Sequence, residues 1–122
     1  MKIYKFLAAA LIALFAVSSL AGCSTEKFDP QSYAEIIDVR EQSEWDSGHL
    51  EGAVLIPIAA ADFATQITTL DPSLDYYIYC RSGNRAGQAI TQMRDLGFTG
   101  ELINGGSVAN ASSQLGLAVV KD

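Results

Sequence analysis

The stretch D-Y-Y-I-Y-C-R-S-G-N-R-A-G-Q-A-I-T-Q-M-R-D-L-G, residues 75–97, decides the fold. Asp75-Tyr76-Tyr77-Ile78-Tyr79 is aromatic and β-branched, the composition of a strand, and it runs straight into Cys80. Further on, Ala86, Ala89, Ile90, Met93 and Leu96 recur at i, i+3, i+4, i+7 and i+10, lining one face of a helix that Gly97 can end. Between strand and helix lies only the loop Cys80 to Arg85.

The same alternation extends to both sides. Upstream, Ala34 to Arg40 is a β-rich run, and E-Q-S-E-W-D-S-G-H, residues 41–49, holds helix formers that end at Gly48. Ala53 to Ile58 is an apolar run broken by Pro57. Ala59 to Leu70 then has Phe63, Ile67 and Leu70 at helical spacing, before the turn Asp71-Pro72-Ser73. Downstream, Glu101-Leu102-Ile103 reads as a strand, Asn104-Gly105-Gly106 as a turn and Ser107 to Leu115 as a last helix. Alternating strands and helices predict an α/β fold, a mostly parallel central sheet with helices on both faces. Ligands of such sheets bind beyond the carboxyl ends of the strands, and Cys80 sits at one of these ends.

The chain opens M-K-I-Y-K and runs without a charge from Phe6 to Leu20, the layout of a secretory signal peptide. That run is short of the roughly 20 residues of a membrane-spanning helix. It ends in Leu20-Ala21-Gly22-Cys23, followed by Ser24 and Thr25, which resembles the lipobox of bacterial lipoproteins. The resemblance implies removal of residues 1–22 and lipidation of Cys23. Residues 23–33 would be the lipidated cysteine and a short tether, residues 34–122 the folded domain, and the product lipid-anchored in the cell envelope, facing the periplasm. An ordinary signal peptide or a retained anchor are the other readings of the same residues. Each acyl CH2 buried in the bilayer contributes about 0.8 kcal/mol, so several chains on one residue make a stable anchor.

Cleavage would remove Lys2 and Lys5, leaving six of the eight basic residues against all 14 acidic ones. So acidic a surface argues against nucleic acid as a partner, and any anion site must be local. The chain has two cysteines. With Cys23 lipidated, Cys80 would be the single free thiol of the domain, and no internal disulfide could form.

The loop around Cys80 suits a reactive thiol. The thiolate is the reactive form, and nearby positive charge and dipoles raise its population. Six residues feeding a helix can turn successive backbone N–H groups inward around the sulfur, above the positive end of the helix dipole. Gly83 permits the curl, and Arg81 and Arg85 supply cationic donors at the rim for an anion with several oxygens. A cysteine packed simply as a small hydrophobe is the competing reading, and polar Arg81-Ser82-Gly83-Asn84-Arg85 would be a poor lining for it.

These pieces together resemble a single-domain rhodanese, a member of the sulfurtransferase family. The matching segments are Ile37-Asp38-Val39-Arg40, Glu44-Trp45, Gly48-His49-Leu50-Glu51-Gly52-Ala53, Ile56-Pro57, Tyr79 to Ala86, Leu96-Gly97-Phe98 and Gly105-Gly106, in the family's order. The resemblance implies that the Cys80 thiolate takes the outer sulfur of a donor such as thiosulfate and holds it as a persulfide. A thiophilic acceptor, cyanide or a thiol or carrier protein, then removes it. Backbone N–H groups of Arg81 to Arg85 would stabilise the anionic sulfur and the arginine side chains would hold the donor, with no metal or organic cofactor. Asp38 and Arg40 resemble family positions near the active-site end of the first matched strand that support neighbouring loops, and plain structural pairing is the favoured role for them. His49 resembles part of a structural turn, and Trp45 is expected in the core.

The sequence departs from the family in two places. Asn110 stands where many members have a tryptophan, so the last helix is expected to pack less firmly, and the segment before Ile36 leaves little room for the usual first strand. Two rival functions remain open on these residues. A rhodanese-related cysteine phosphatase or arsenate reductase has an arginine six residues after the cysteine, where this chain has Ala86; a lipid-anchored binding module would leave Cys80 idle.

Overall fold

Tyr76–Tyr79 (β4) forms the middle of the structure, a computed structural model that describes residues 26–121. The leader and Cys23 lie outside the described residues. Glu35–Asp38 (β1) runs parallel to β4, with Ile37 opposite Ile78, and Val54–Leu55 (β3) and Leu102–Asn104 (β5) complete the sheet in the order β3-β1-β4-β5. All three pairings are parallel, as the alternation of elements predicts.

Side chains alternate across β4 with the period of two that a strand imposes. Tyr76, Ile78 and Cys80 face one layer, with Phe63 and Ile67 of helix α2 (Phe63–Ile67) and Ala86, Ala89 and Met93 of helix α3 (Asn84–Asp95). Tyr77 and Tyr79 face the other, with Ala111 and Leu115 of helix α4 (Val108–Leu115). Helices thus cover both faces. Because Cys80 falls on the α3 side, the chain leaving it must turn back at once to start α3, and the thiol is enclosed by that turn.

Helix α1 (Gln42–Asp46) and the two-residue strand β2 (His49–Leu50) lie between β1 and β3. Strand β2 pairs antiparallel with Val119–Val120 (β6), which the sequence reading did not anticipate, since two residues carry no readable periodicity. Among the described residues before β1 there is one 3-10 turn, Pro30–Ser32, and no strand. Phe28 and Tyr33, assigned from the sequence to the tether, pack edge-on against the Tyr77 ring, and the Phe28 N–H donates to Gln114 O at 2.9 Å.

The helix expected over residues 59–70 is confined to Phe63–Ile67. It starts late because residues 57–63 are taken up by turns, Ala60 N–H to Pro57 O and Phe63 N–H to Ala60 O. It stops early because the Thr68 and Thr69 hydroxyls donate to Ala64 O and Gln66 O at 2.9 and 2.6 Å, a local alternative to helix.

One glycine fixes how the chain leaves β5. Gly105 is buried flat against Tyr77, where a Cβ would run into the ring, and its N–H donates to Ile78 O at 2.7 Å. Gly105→Ala is expected to lower stability by about 2 kcal/mol through overpacking. Urea denaturation measures this; a loss below about 0.5 kcal/mol would show that Tyr77 can move aside.

Candidate active site

Cys80 follows β4 directly and is fully buried. Its sulfur accepts N–H hydrogen bonds from Gly83 at 2.9 Å and Ala86 at 3.5 Å. Burial pushes the thiol up, but the N–H groups of Ala86, Ser82, Gly83 and Arg85 outweigh it, and the net direction is down from an ordinary thiol. The loop therefore stabilises negative charge on sulfur through its backbone, as expected from a short turn feeding a helix. Gly83 has φ +98°, a left-handed conformation that glycine adopts without strain.

What holds the loop in this shape is spread over the chain. The Cys80 N–H donates to Gly106 O at 3.0 Å. Asn104, at the end of β5, donates from Nδ2 to Gly83 O at 2.9 Å and accepts from the Gly106 N–H at 3.0 Å, while the Gly87 N–H also donates to Gly83 O. Asn104 is a support that the sequence reading assigned merely to a turn; the one signal for it was an asparagine directly before Gly105-Gly106. Asn110, in place of the family's tryptophan, donates to Gly105 O at 2.7 Å and so anchors the same turn with a polar contact.

The other predicted site residues separate into three groups. Arg81, Ser82 and Asn84 are exposed on the loop, and Arg81 has no carboxylate partner among the described residues. Arg85 is held by Glu44 of α1, Nη1 to Oε1 at 2.7 Å and Nη2 to Oε2 at 2.9 Å, so the guanidinium expected to bind a donor is already engaged. Asp38 and Arg40 form a buried pair at 2.8 Å, and Arg40 Nη2 also donates to Gly48 O at 2.7 Å, which fixes the turn between α1 and β2. His49 is buried beside this turn, its Nδ1 3.2 Å from Trp45 O and its ring stacked 3.5 Å from the indole. Trp45 is half-buried there and not in the core.

Glu44 has a second role in its own helix, accepting the Glu41 N–H at 3.2 Å and so capping α1. Hydrogen bonds from Arg85 are the main cause that holds its carboxyl at about 2, below the ordinary 4.5, with burial opposing. A lowered carboxyl favours the folded state above the unfolded value and loses that contribution as pH falls. The pair should thus contribute fully above pH 4.5 and be lost as pH falls through about 2. Both side chains are partly exposed, at 30% and 26%, so the expected gap in stability between native protein and Glu44→Gln is about 1 kcal/mol at pH 7. Urea unfolding of both at stepped pH should show that gap closing below pH 4.5; a constant gap would assign it to helix capping alone.

A groove of about 210 Å³, lined by Tyr33, Glu35, Glu51 and Leu117 among others, opens near the start of β1, at the opposite end of the sheet from Cys80. Its two carboxylates, Glu35 and Glu51, make it a poor place for an anion.

Residues 24–112 match the sequence family described as "Rhodanese-like domain". Among curated proteins, the chain is 28% identical over 89 residues to "Thiosulfate sulfurtransferase PspE" of Escherichia coli, covering 73% of this chain and 78% of that one. It is 33% identical over 75 residues to "Probable adenylyltransferase/sulfurtransferase MoeZ" of Mycobacterium tuberculosis, 61% of this chain and only 19% of that much longer protein. Among solved structures, the Rhodanese_3-like domain of the Anabaena protein Alr3790 superposes with a TM-score of 0.62 at 29% identity, over 72% of this chain and 92% of that one. An E. coli rhodanese with anions superposes at 0.58 and 27%, over 72% and 98%.

Proposed function

The chain belongs to the rhodanese-like domain family, and from that premise we propose that it is a sulfurtransferase that carries a sulfane sulfur on Cys80. The observation that carries this reading is the buried sulfur ringed by the N–H groups of the loop. The thiolate attacks the outer sulfur of thiosulfate or a related donor; the donor's S–S bond breaks and its electron pair leaves with sulfite. A Cys80 persulfide remains, its terminal sulfur stabilised by the same amides. A thiophilic acceptor, cyanide or a thiol, then attacks that terminal sulfur and restores the thiolate.

The oxyanion chemistry of a phosphatase finds less support. The residue six after the cysteine is Ala86, buried in the core, and the arginine before it is turned to Glu44. No side chain at those positions is left to clamp a tetrahedral phosphate.

Mass spectrometry of the intact protein after incubation with thiosulfate, then separately with polysulfide, tests the reading. A gain of about 32 Da, one sulfur atom, removed by cyanide or dithiothreitol, is the expected result of covalent catalysis at a thiol. An unchanged mass with both donors would leave Cys80 idle and favour a binding module.

Export and lipidation at Cys23 belong to the same proposal and rest on the lipobox-like Leu20-Ala21-Gly22-Cys23. Cys23→Ala should move the protein from the membrane to the soluble fraction; an unaltered membrane fraction would refute the anchor.

A further inference from the structure

The charges around Cys80 do not suit a dianion. Of the basic residues in the described chain outside the loop, Arg40 is spent on Asp38 inside the domain, Arg94 on Phe98 O and Gly100 O, and Lys27 on Ser113 O, while Lys121 is exposed after β6. Arg85 gives both terminal nitrogens, Nη1 and Nη2, to the Glu44 carboxylate. Among the described residues Arg81 is the one cation of the loop without a carboxylate partner, in a strongly acidic domain. The amides of the loop can meet one negative charge on the terminal sulfur. For a second charge, on the part of the donor that departs, the loop has Arg81 as its one cation not already paired.

Building on the sulfurtransferase reading, we propose that Glu44 sets the charge class of the donor: by neutralising Arg85 it makes the site select monoanionic sulfane-sulfur donors, of the organic thiosulfonate type R–SO2–S⁻, over dianionic thiosulfate. The chemistry balances as before. The Cys80 thiolate bonds to the outer sulfur, the donor's S–S bond breaks, and the electron pair leaves on sulfinate, R–SO2⁻. No outside oxidant, reductant or proton is needed. Glu44 does not touch the donor; it acts through Arg85, as a specificity-determining residue.

Methanethiosulfonate and thiosulfate form a matched pair of probes, because a methyl replaces one charged oxygen on the same tetrahedral sulfur. Both are given to the whole protein with cyanide as acceptor, and kcat/KM is taken for each. The native protein should favour methanethiosulfonate by about tenfold or more. In Glu44→Gln, where the amide can still accept from Arg85 while its positive charge is released, that ratio should fall about tenfold, through a lower KM for thiosulfate. Glu44→Asp, which keeps the charge, should keep the preference. A role confined to holding the loop would change both donors alike and leave the ratio where it was, overturning the proposal; so would a native preference for thiosulfate. If neither probe nor polysulfide adds sulfur to Cys80, the sulfurtransferase reading falls and this inference with it. If both add sulfur with equal kcat/KM, only the inference falls.

Discussion

Cys80→Ser is expected to abolish the proposed sulfur transfer, by about three orders of magnitude or more, and to leave the domain folded. The sulfur accepts from the N–H groups of Gly83 and Ala86, and a serine oxygen at the same place can accept from the same donors, so the loop keeps its partners. Chemistry does not survive the exchange. The loop draws the thiol down toward its anion, whereas a hydroxyl starts several pKa units higher and remains protonated at neutral pH. Nor can an alkoxide hold sulfur as a persulfide. Losses of about 10³-fold or more follow when a covalent nucleophile is removed. The stability cost should stay near 1 kcal/mol, since one buried atom changes and no polar group is orphaned. Cyanide-coupled turnover and intact mass would read the first expectation and urea denaturation the second. Residual turnover above about 1% of native would mean that another group carries the sulfur.

Asp38→Ala is expected to cost the most stability of the substitutions considered, about 3–5 kcal/mol. Asp38 is completely buried at the end of β1 and accepts three groups of Arg40: the backbone N–H at 2.9 Å, Nε at 3.0 Å and Nη2 at 2.8 Å. Burial alone would push the Arg40 guanidinium down, and the hydrogen bonds and charge of Asp38 more than reverse this. Removing the carboxylate leaves a charge that cannot be discharged inside the domain, because a guanidinium stays protonated in proteins. The loss is one of a stranded partner and not the net worth of the pair. Asp38→Ala with Arg40→Met should accordingly recover a large part of it, as burying no charge is cheaper than burying one. Urea midpoints of the single and double variants decide the matter. A single-variant loss below about 1 kcal/mol, or no recovery in the double, would mean that water reaches Arg40 in the native state.

The readings that succeeded and those that fell short divide by the range of the interaction. Helix α3 shows itself as an apolar face with its closing glycine, and β4 as an aromatic run, because their backbone bonds lie within one segment or repeat along it. The amides that surround Cys80 were legible for the same reason: they belong to the six residues after it. Threonine hydroxyls that end α2 and the turns before it are equally local, yet they were masked by apolar spacing, a case of side-chain hydrogen bonding winning over periodicity. No local pattern marks β6 as the partner of β2, since a two-residue pairing draws its stability from what surrounds it.

The sequence by itself determined the α/β alternation, the place of Cys80 at the end of a strand and the ring of amides around it. Each follows from the residues within a turn or two of chain. Only the tertiary structure decided that Arg85 is bound to Glu44, 41 residues away, and that Asn104, 21 residues away, holds the carbonyl of Gly83. Two arginines in a loop look alike on paper, and the packing of α1 beside the loop is what neutralises one and leaves the other exposed. Charge at a site is a sum over neighbours in space, and a carboxylate on another element enters that sum only once the chain has folded.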